Sequence, residues 1–291
     1  MRAGASAVVV LALLVLAIAL LVLPGCGSPQ TAAPLKPKVT PPAVKKAGIL
    51  RVGVDFSYPP FGGTDRGKHA GIDVDIASAL AGRLGLSVEL VDVKASQVAT
   101  AVSHGDVDVA LSAPFSADVL ARVSMAGTYL SDGPALFTRE ASASVTTTTS
   151  ILTADNMRVG AQQGSEAYWL LLSELGPENV TAYPSLREAF EGLDRGEVSA
   201  VAGDALVGAY IARDLPDIRY VGPMAPAHLL GAAVAQGNAK LGDAVRAQLD
   251  QLAADGALAA IRRAWVGSLP KLPLPSAETT SDSGWSQLTG P

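Results

Sequence analysis

The chain has 291 residues, 49% of them hydrophobic and 17% charged, with a mean hydropathy of +0.31, so it can bury enough apolar surface to offset its ordering entropy and is not a disordered chain. Its formal net charge is −5 and its pI about 5.2, without a basic block, which excludes a nucleic-acid footprint. Cys26 is the single cysteine, and His69, His104 and His228 are scattered, so no intrachain disulfide, metal-ligand cluster or cofactor is expected.

Arg2 is the only charge before Lys36, and Val8 to Leu23 is apolar throughout. A basic start, an apolar run and a small residue before a break have the layout of an export signal. Leu23-Pro24-Gly25-Cys26 resembles a bacterial lipobox, which implies a signal over 1–25 and a mature chain starting at acylated Cys26; the alternative is an uncleaved anchor with an idle thiol. Either way the rest of the chain is exported, and acyl chains at Cys26 would hold it to the outer face of the cell membrane. Gly27 to Val44 contains five prolines and predicts an extended tether, taken as 26–46 with the cysteine.

From Ala47 onward short apolar runs alternate with helical periodicity, the pattern of an α/β protein. Strands are predicted at Ile49–Val54, Ser87–Val93, Val107–Ser112, Arg158–Ala161, Ser199–Ala202 and Ala232–Ala235. Helices are predicted at Ile72–Leu84, Ser96–Ser103, Ser165–Leu175, Leu186–Asp194, Asp204–Arg213 and Leu241–Asp255, with Gly105, Gly176 and Gly196 just past helix ends. One unit recurs. Arg51-Val52-Gly53-Val54 returns as Arg158-Val159-Gly160-Ala161, and Gly105-Asp106-Val107 returns as Gly196-Glu197-Val198 in the same order. The repeat predicts two lobes of similar plan, with ligand bound at the carboxyl ends of their strands.

Gly48-Ile49-Leu50-Arg51-Val52-Gly53-Val54-Asp55-Phe56-Ser57-Tyr58-Pro59-Pro60-Phe61, then Gly71-Ile72-Asp73-Val74-Asp75, Gly105-Asp106-Val107-Asp108-Val109, Arg158 to Ser165, Gly196 to Asp204 and Trp265-Val266-Gly267 together resemble the family-three extracellular solute-binding proteins of bacteria. These are receptors of ABC importers for polar amino acids, and the resemblance covers about residues 47–267. It implies an α/β two-lobed periplasmic-binding-protein fold of type II, each lobe a mixed sheet flanked by helices. Lobe one would hold 47–138 and 230–267 and lobe two 139–229. The two hinge segments would lie near Phe137–Ala141 and His228–Gly231, and 268–291 would be a disordered tail.

The resemblance also implies a site. Tyr58, seated with Phe61 in the loop stiffened by Pro59-Pro60, would pack on the solute; Asp55 would accept from its ammonium group. Their alternatives are core aromatics and a turn aspartate. Ser112 matches a serine that binds the ligand's polar head, or else satisfies local backbone. Asp204 matches the acid that holds an α-amino group and is equally placed to cap the helix that follows. Gly164 and Ser165 open a helix whose free N–H groups favour an anion. Glu166 stands there where the family has a small hydroxyl residue, and as a plain helix-start acid it would also be well placed. The arginine that the family uses to grip a carboxylate is replaced by Val119, with Arg122 three residues on; Ala95 stands in place of a second aromatic. Such a cleft suits an ammonium group better than a free carboxylate. The expected protein is a monomeric, non-enzymatic receptor that captures a small polar solute, an amino acid or amine, for the permease subunits of an ABC importer. A lyase built on the same fold, with Glu166 or Asp204 as its acid or base, and a sensor module acting with a partner chain are the alternatives.

Overall fold

The computed structural model describes residues 36–139, 157–269 and 272–274. Lobe one opens with β1 (Ile49–Val54), where Leu50, Val52 and Val54 are buried. A small hairpin, β2 (Gly63–Asp65) and β3 (Lys68–Ala70), leads to α1 (Ile72–Leu84), closed by Gly85 at φ +72°. That left-handed position favours glycine, and a Cβ there would also meet the Lys36 carbonyl. Then come β4 (Ser87–Asp92), α2 (Val98–Ser103), β5 (Val109–Pro114), α3 (Ala117–Leu120) and the long β6 (Val123–Asp132).

Lobe two runs β7 (Pro134–Arg139), β8 (Val159–Gln162), α4 (Glu166–Leu175), β9 (Val180–Tyr183), α5 (Leu186–Asp194), β10 (Ala200–Asp204), α6 (Ala205–Ala212) and β11 (Ile218–Pro223). The chain then returns through β12 (His228–Ala235), α7 (Ala239–Ala254) and α8 (Ala257–Val266).

The two five-stranded sheets have the same plan: β4-β1-β5-β12-β6 in lobe one and β9-β8-β10-β7-β11 in lobe two. In each, three parallel strands adjoin an antiparallel strand delivered from the other lobe. The repeated sequence unit is the cause. Gly53 and Gly160 occupy matching positions in β1 and β8, and a Cβ at either would lie 2.9 Å from the Val93 or Tyr183 side chain. Gly105 and Gly196, both at φ above +70°, end the helix in each half. Just beyond them Asp108 N donates to Arg51 O and Ser199 N to Arg158 O, at 2.9 and 2.8 Å. The fold is thus the mixed-sheet, two-lobed α/β architecture expected.

Its boundaries differ from expectation. The first crossover is Gly133, between β6 and β7, and the second is 224–227, between β11 and β12; neither lies at Phe137–Ala141 or His228–Gly231. The reason is burial. Ala135, Leu136 and Phe137 are fully buried because β7 is a central strand of lobe two, while His228 to Gly231 pair with β6 inside lobe one. The crossovers pass tightly, since a Cβ on Gly133 would come within 3.0 Å of the Ala227 Cα.

The tether and tail also shorten. Val39, Ala43 and Val44 are buried, and Lys38 N donates to Leu84 O at 2.8 Å, so 36–46 is a belt on lobe one. Leu272 is buried and Pro273 O accepts from Ala227 N at 2.8 Å, which ties the chain beyond α8 to the second crossover. Cys26, the signal expected over 1–25 and the expected tail from 275 on lie outside the described residues.

Phe137 lies against Phe190 at 5.0 Å and edge-on to Tyr220 at 5.8 Å. Phe137→Ala is therefore expected to lower unfolding free energy by about 3–5 kcal/mol, read from urea denaturation. A hinge residue would instead leave stability nearly unchanged.

Candidate functional site

The loop after β1 carries Tyr58 to the mouth between the lobes. Its ring stacks on buried Phe61, with centroids 5.6 Å apart and planes 2° from parallel. Phe61 is locked in turn by its carbonyl, which accepts from Asp73 N at 2.9 Å. Tyr58 is 44% exposed, but its hydroxyl crosses to lobe two and donates to Asp204 Oδ2 at 2.8 Å. Burial of that hydroxyl, and then the charge on Asp204, raise the phenol above its ordinary pKa.

Asp204 occupies the N-cap position of α6 in an extended conformation, yet its side chain makes no capping bond. The cap comes from the other lobe. Asp132, at the end of β6, accepts from Leu206 N and Gly133 N, each at 2.9 Å, through Oδ1. With the first turn so satisfied, the Asp204 carboxylate is free to face the cleft. Burial raises its pKa and the Tyr58 hydrogen bond lowers it; the Glu166 charge raises it and His228 lowers it, for a net upward shift.

On the same side of the cleft, Gly164 turns at φ +77° and Ser165 caps α4 by accepting from Tyr168 N at 3.1 Å. Glu166 then reaches out of lobe two to His228, the first residue of β12, with Nε2 at 2.9 and 3.2 Å from its two carboxylate oxygens. Tyr58–Asp204 and Glu166–His228 are thus two polar bridges between the lobes. Residues Tyr58, Asp204, Glu166, Asp132 and His228 converge, and the last two were not foreseen as site residues. His228 was read as a scattered histidine at the start of the expected second hinge segment, and Asp132 was obscured because the first crossover was expected several residues later.

The other candidates are engaged elsewhere. Asp55 accepts from Ser57 N at 2.9 Å, Ser57 Oγ at 2.6 Å, Ala95 N at 3.1 Å and Lys94 Nζ at 3.2 Å. Burial raises its pKa, but the Ser57, Ala95 and Lys94 bonds outweigh it and hold the carboxyl below the usual value. It staples the loop after β1 to the loop after β4. Ser112 sits at φ +50°, opposite an irregularity in the β5–β12 ladder. Its Oγ donates to buried Asp73 at 2.6 Å, and its N–H donates to the Tyr129 oxygen at 2.5 Å. Tyr129 also donates to Asp73 at 2.8 Å. Burial lifts the Asp73 carboxyl to about 7 against both hydrogen bonds. Arg122 donates to Thr100 Oγ1 on α2 at 2.7 Å, and Val119 is buried with Val98 and Val123. Neither brings a guanidinium to the Tyr58–Asp204 pair. Among the described residues, no group of three His, Cys, Asp or Glu side chains could hold a metal ion.

Two lobes of matching topology, joined by two crossovers and bridged by polar side chains at the ends of their strands, define the type II periplasmic-binding class. The sequence model of the bacterial extracellular solute-binding proteins, family 3, matches residues 50–268, and the chain belongs to that family. It is 29% identical over 224 residues to the L-arginine-binding protein of Pseudomonas aeruginosa, covering 71% of this chain and 83% of that one. To the L-cystine-binding protein TcyJ of Escherichia coli it is 25% identical over 228 residues, covering 77% and 85%. A solved structure of an ancestral cationic amino acid solute binding protein superposes with a TM-score of 0.68 at 26% identity, covering 75% of this chain and 96% of that one.

The Ser112 geometry yields a test. Ser112→Ala leaves a buried acceptor on Asp73 without its donor and is expected to lower stability by about 1–3 kcal/mol, measured by thermal or urea unfolding of the ligand-free protein. A variant of full stability and reduced ligand affinity would return Ser112 to the cleft.

Proposed function

We propose that this chain is an extracytoplasmic receptor that captures a small cationic solute, an amine or a basic amino acid, between its lobes and delivers it to an ABC importer. The observation that carries the proposal is Asp204: a half-buried carboxylate at a helix start, released from capping by Asp132 and facing the cleft beside Glu166. An ammonium or guanidinium would take the place of the Tyr58 hydroxyl there and make a charge-assisted bond in its stead. The Tyr58 ring, backed by Phe61, offers an aromatic face to the cation or its aliphatic stem. A carboxylate has a poorer fit. Glu166 already occupies the one imidazole in the cluster, and Arg122 is bonded to Thr100. The names of two similar proteins, one an L-arginine-binding protein and one for cationic amino acids, agree with this charge preference.

Asp55 is withdrawn from the pair of acids expected to share the cation, since its lobe-one bonds fill it; Asp204 carries that role alone. In the same proposal Gly164 and Ser165 set the start of α4 and so aim Glu166 across the cleft. Closure would proceed by rotation about Gly133 and 224–227. The proposed receptor is a monomer held at the outer face of the membrane through diacylated Cys26, released from its 1–25 signal and served by permease subunits.

Binding of L-arginine and of agmatine, its analogue without the carboxylate, is the direct test by calorimetry. Both are expected to bind, and Asp204→Asn to weaken each by about 2–5 kcal/mol. Tight binding of L-arginine alone, abolished by Arg122→Ala, would overturn the cationic preference. For the anchor, Cys26→Ala is expected to move the protein from the membrane fraction to the soluble exported fraction; mass spectrometry that finds an unmodified Cys26 within an intact N-terminal peptide would contradict it.

A further inference from the structure

A second acid stands beside Asp204. Asp132 is 7% exposed, and its Oδ1 accepts from Gly133 N and Leu206 N, both uncharged backbone N–H groups. The ladders hold the two acids together: Asp204 lies opposite Pro134, two residues beyond Asp132, and His228 lies opposite Asp132 itself. The titratable groups facing this point from the elements around it are Asp204 at the start of α6 and Tyr58 from the loop after β1. With them are Glu166 at the start of α4 and His228 of β12, the last two bound to each other. Two carboxylates that share so little water do not both ionise readily.

We propose that Asp132 is the specificity-determining acid of the cleft: it carries a proton in the empty protein and gives it to solvent when a ligand with excess positive charge arrives at Asp204. The exchange forms no covalent bond in the ligand; one O–H bond on Asp132 breaks, and the proton leaves to buffer as the cation enters. A ligand whose positive and negative charges balance brings its own counter-charge and does not drive the exchange. The inference rests on the cationic-solute proposal above and adds which cations the cleft favours. The electrostatics agree: burial first and then the charge of Asp204 lift the Asp132 carboxyl to about 8, against the backbone N–H groups of Leu206, Gly133 and Ala205, which lower it.

The first arm of the test needs no ligand. A carboxyl raised in the folded state holds a proton that the unfolded chain has lost, so it contributes stability at low pH that disappears as pH rises through the folded value. Stability of the empty protein is expected to fall more steeply between about pH 5 and 8, above the ordinary carboxyl value and up to the folded one, than that of Asp132→Asn, which keeps an acceptor for Leu206 N. Both proteins also carry His228→Gln, so that the comparison isolates the acid. Asp73 titrates equally in both. Parallel pH profiles overturn the inference, whatever the protein binds. If Asp132→Asn does not fold, carbon NMR of the aspartate carboxyls in the unaltered protein reads the same group. A signal moving near pH 8 in addition to the Asp73 signal supports the inference, and its absence overturns it.

The second arm is calorimetry with agmatine, against L-glutamine as the charge-balanced control, in two buffers of different ionisation heat. Agmatine is expected to release up to about one proton, and its affinity to rise by up to about tenfold per pH unit below the titration of Asp132. Asp132→Asn abolishes both effects, and L-glutamine shows neither. Agmatine binding without proton release overturns the exchange. A steep stability profile with no binding of agmatine or L-arginine overturns the cationic-solute proposal, and the exchange falls with it.

Discussion

The bond from Leu206 N to Asp132 is the constraint on which the cleft depends. A helix start must place its free N–H groups somewhere, and here the acceptor comes from the last residue of a strand in the opposite lobe. That choice pins α6 of lobe two to the end of β6 in lobe one, directly at the Gly133 crossover. It also relieves Asp204 of the duty its position would ordinarily impose. Had Asp204 capped its own helix, its carboxylate would face the α6 amides and the cleft would lose its acid.

The consequences reach outward. Asp204 is met by the neutral Tyr58 hydroxyl, and Glu166 by His228. The lobes thus touch through groups that a solute can replace. The stiff parts lie behind them: Phe61 under Tyr58, the Asp55 staple between two lobe-one loops, and the buried Asp73–Ser112–Tyr129 network beneath β5. In the proposed receptor each half of the site would stay rigid and movement would fall to the two short crossovers.

Much of this was legible in the chain. The Arg-Val-Gly unit and the helix-glycine-acid-valine unit, each present twice, predicted two sheets of one plan, because glycine at Gly53, Gly160, Gly105 and Gly196 answers to close packing or a positive φ that no other residue meets as well. Tyr58, Asp204 and Glu166 were singled out by position, and the structure places all three in bonds between the lobes. What escaped detection depended on tertiary pairing. β7 reads as a short apolar run that any buried strand could give, so the Gly133 turn was placed too late and Asp132 with it. Pro-rich 36–46 looks like a tether in composition, yet Val39 and Val44 bury against lobe one. Asp55 and Ser112 match the family's motif, but their bonds to Lys94, Ala95 and Asp73 involve residues distant in sequence, which spacing along the chain does not reveal.

The central claim is that Asp204 meets a cation in exchange for the Tyr58 hydroxyl. A crystal structure of the protein grown with agmatine tests it most directly. The account predicts a ligand nitrogen about 2.8 Å from Asp204 Oδ2, with Tyr58 turned onto the ligand and the Asp132 cap on Leu206 intact. A ligand seated elsewhere, with the Tyr58–Asp204 bond unbroken, would contradict it.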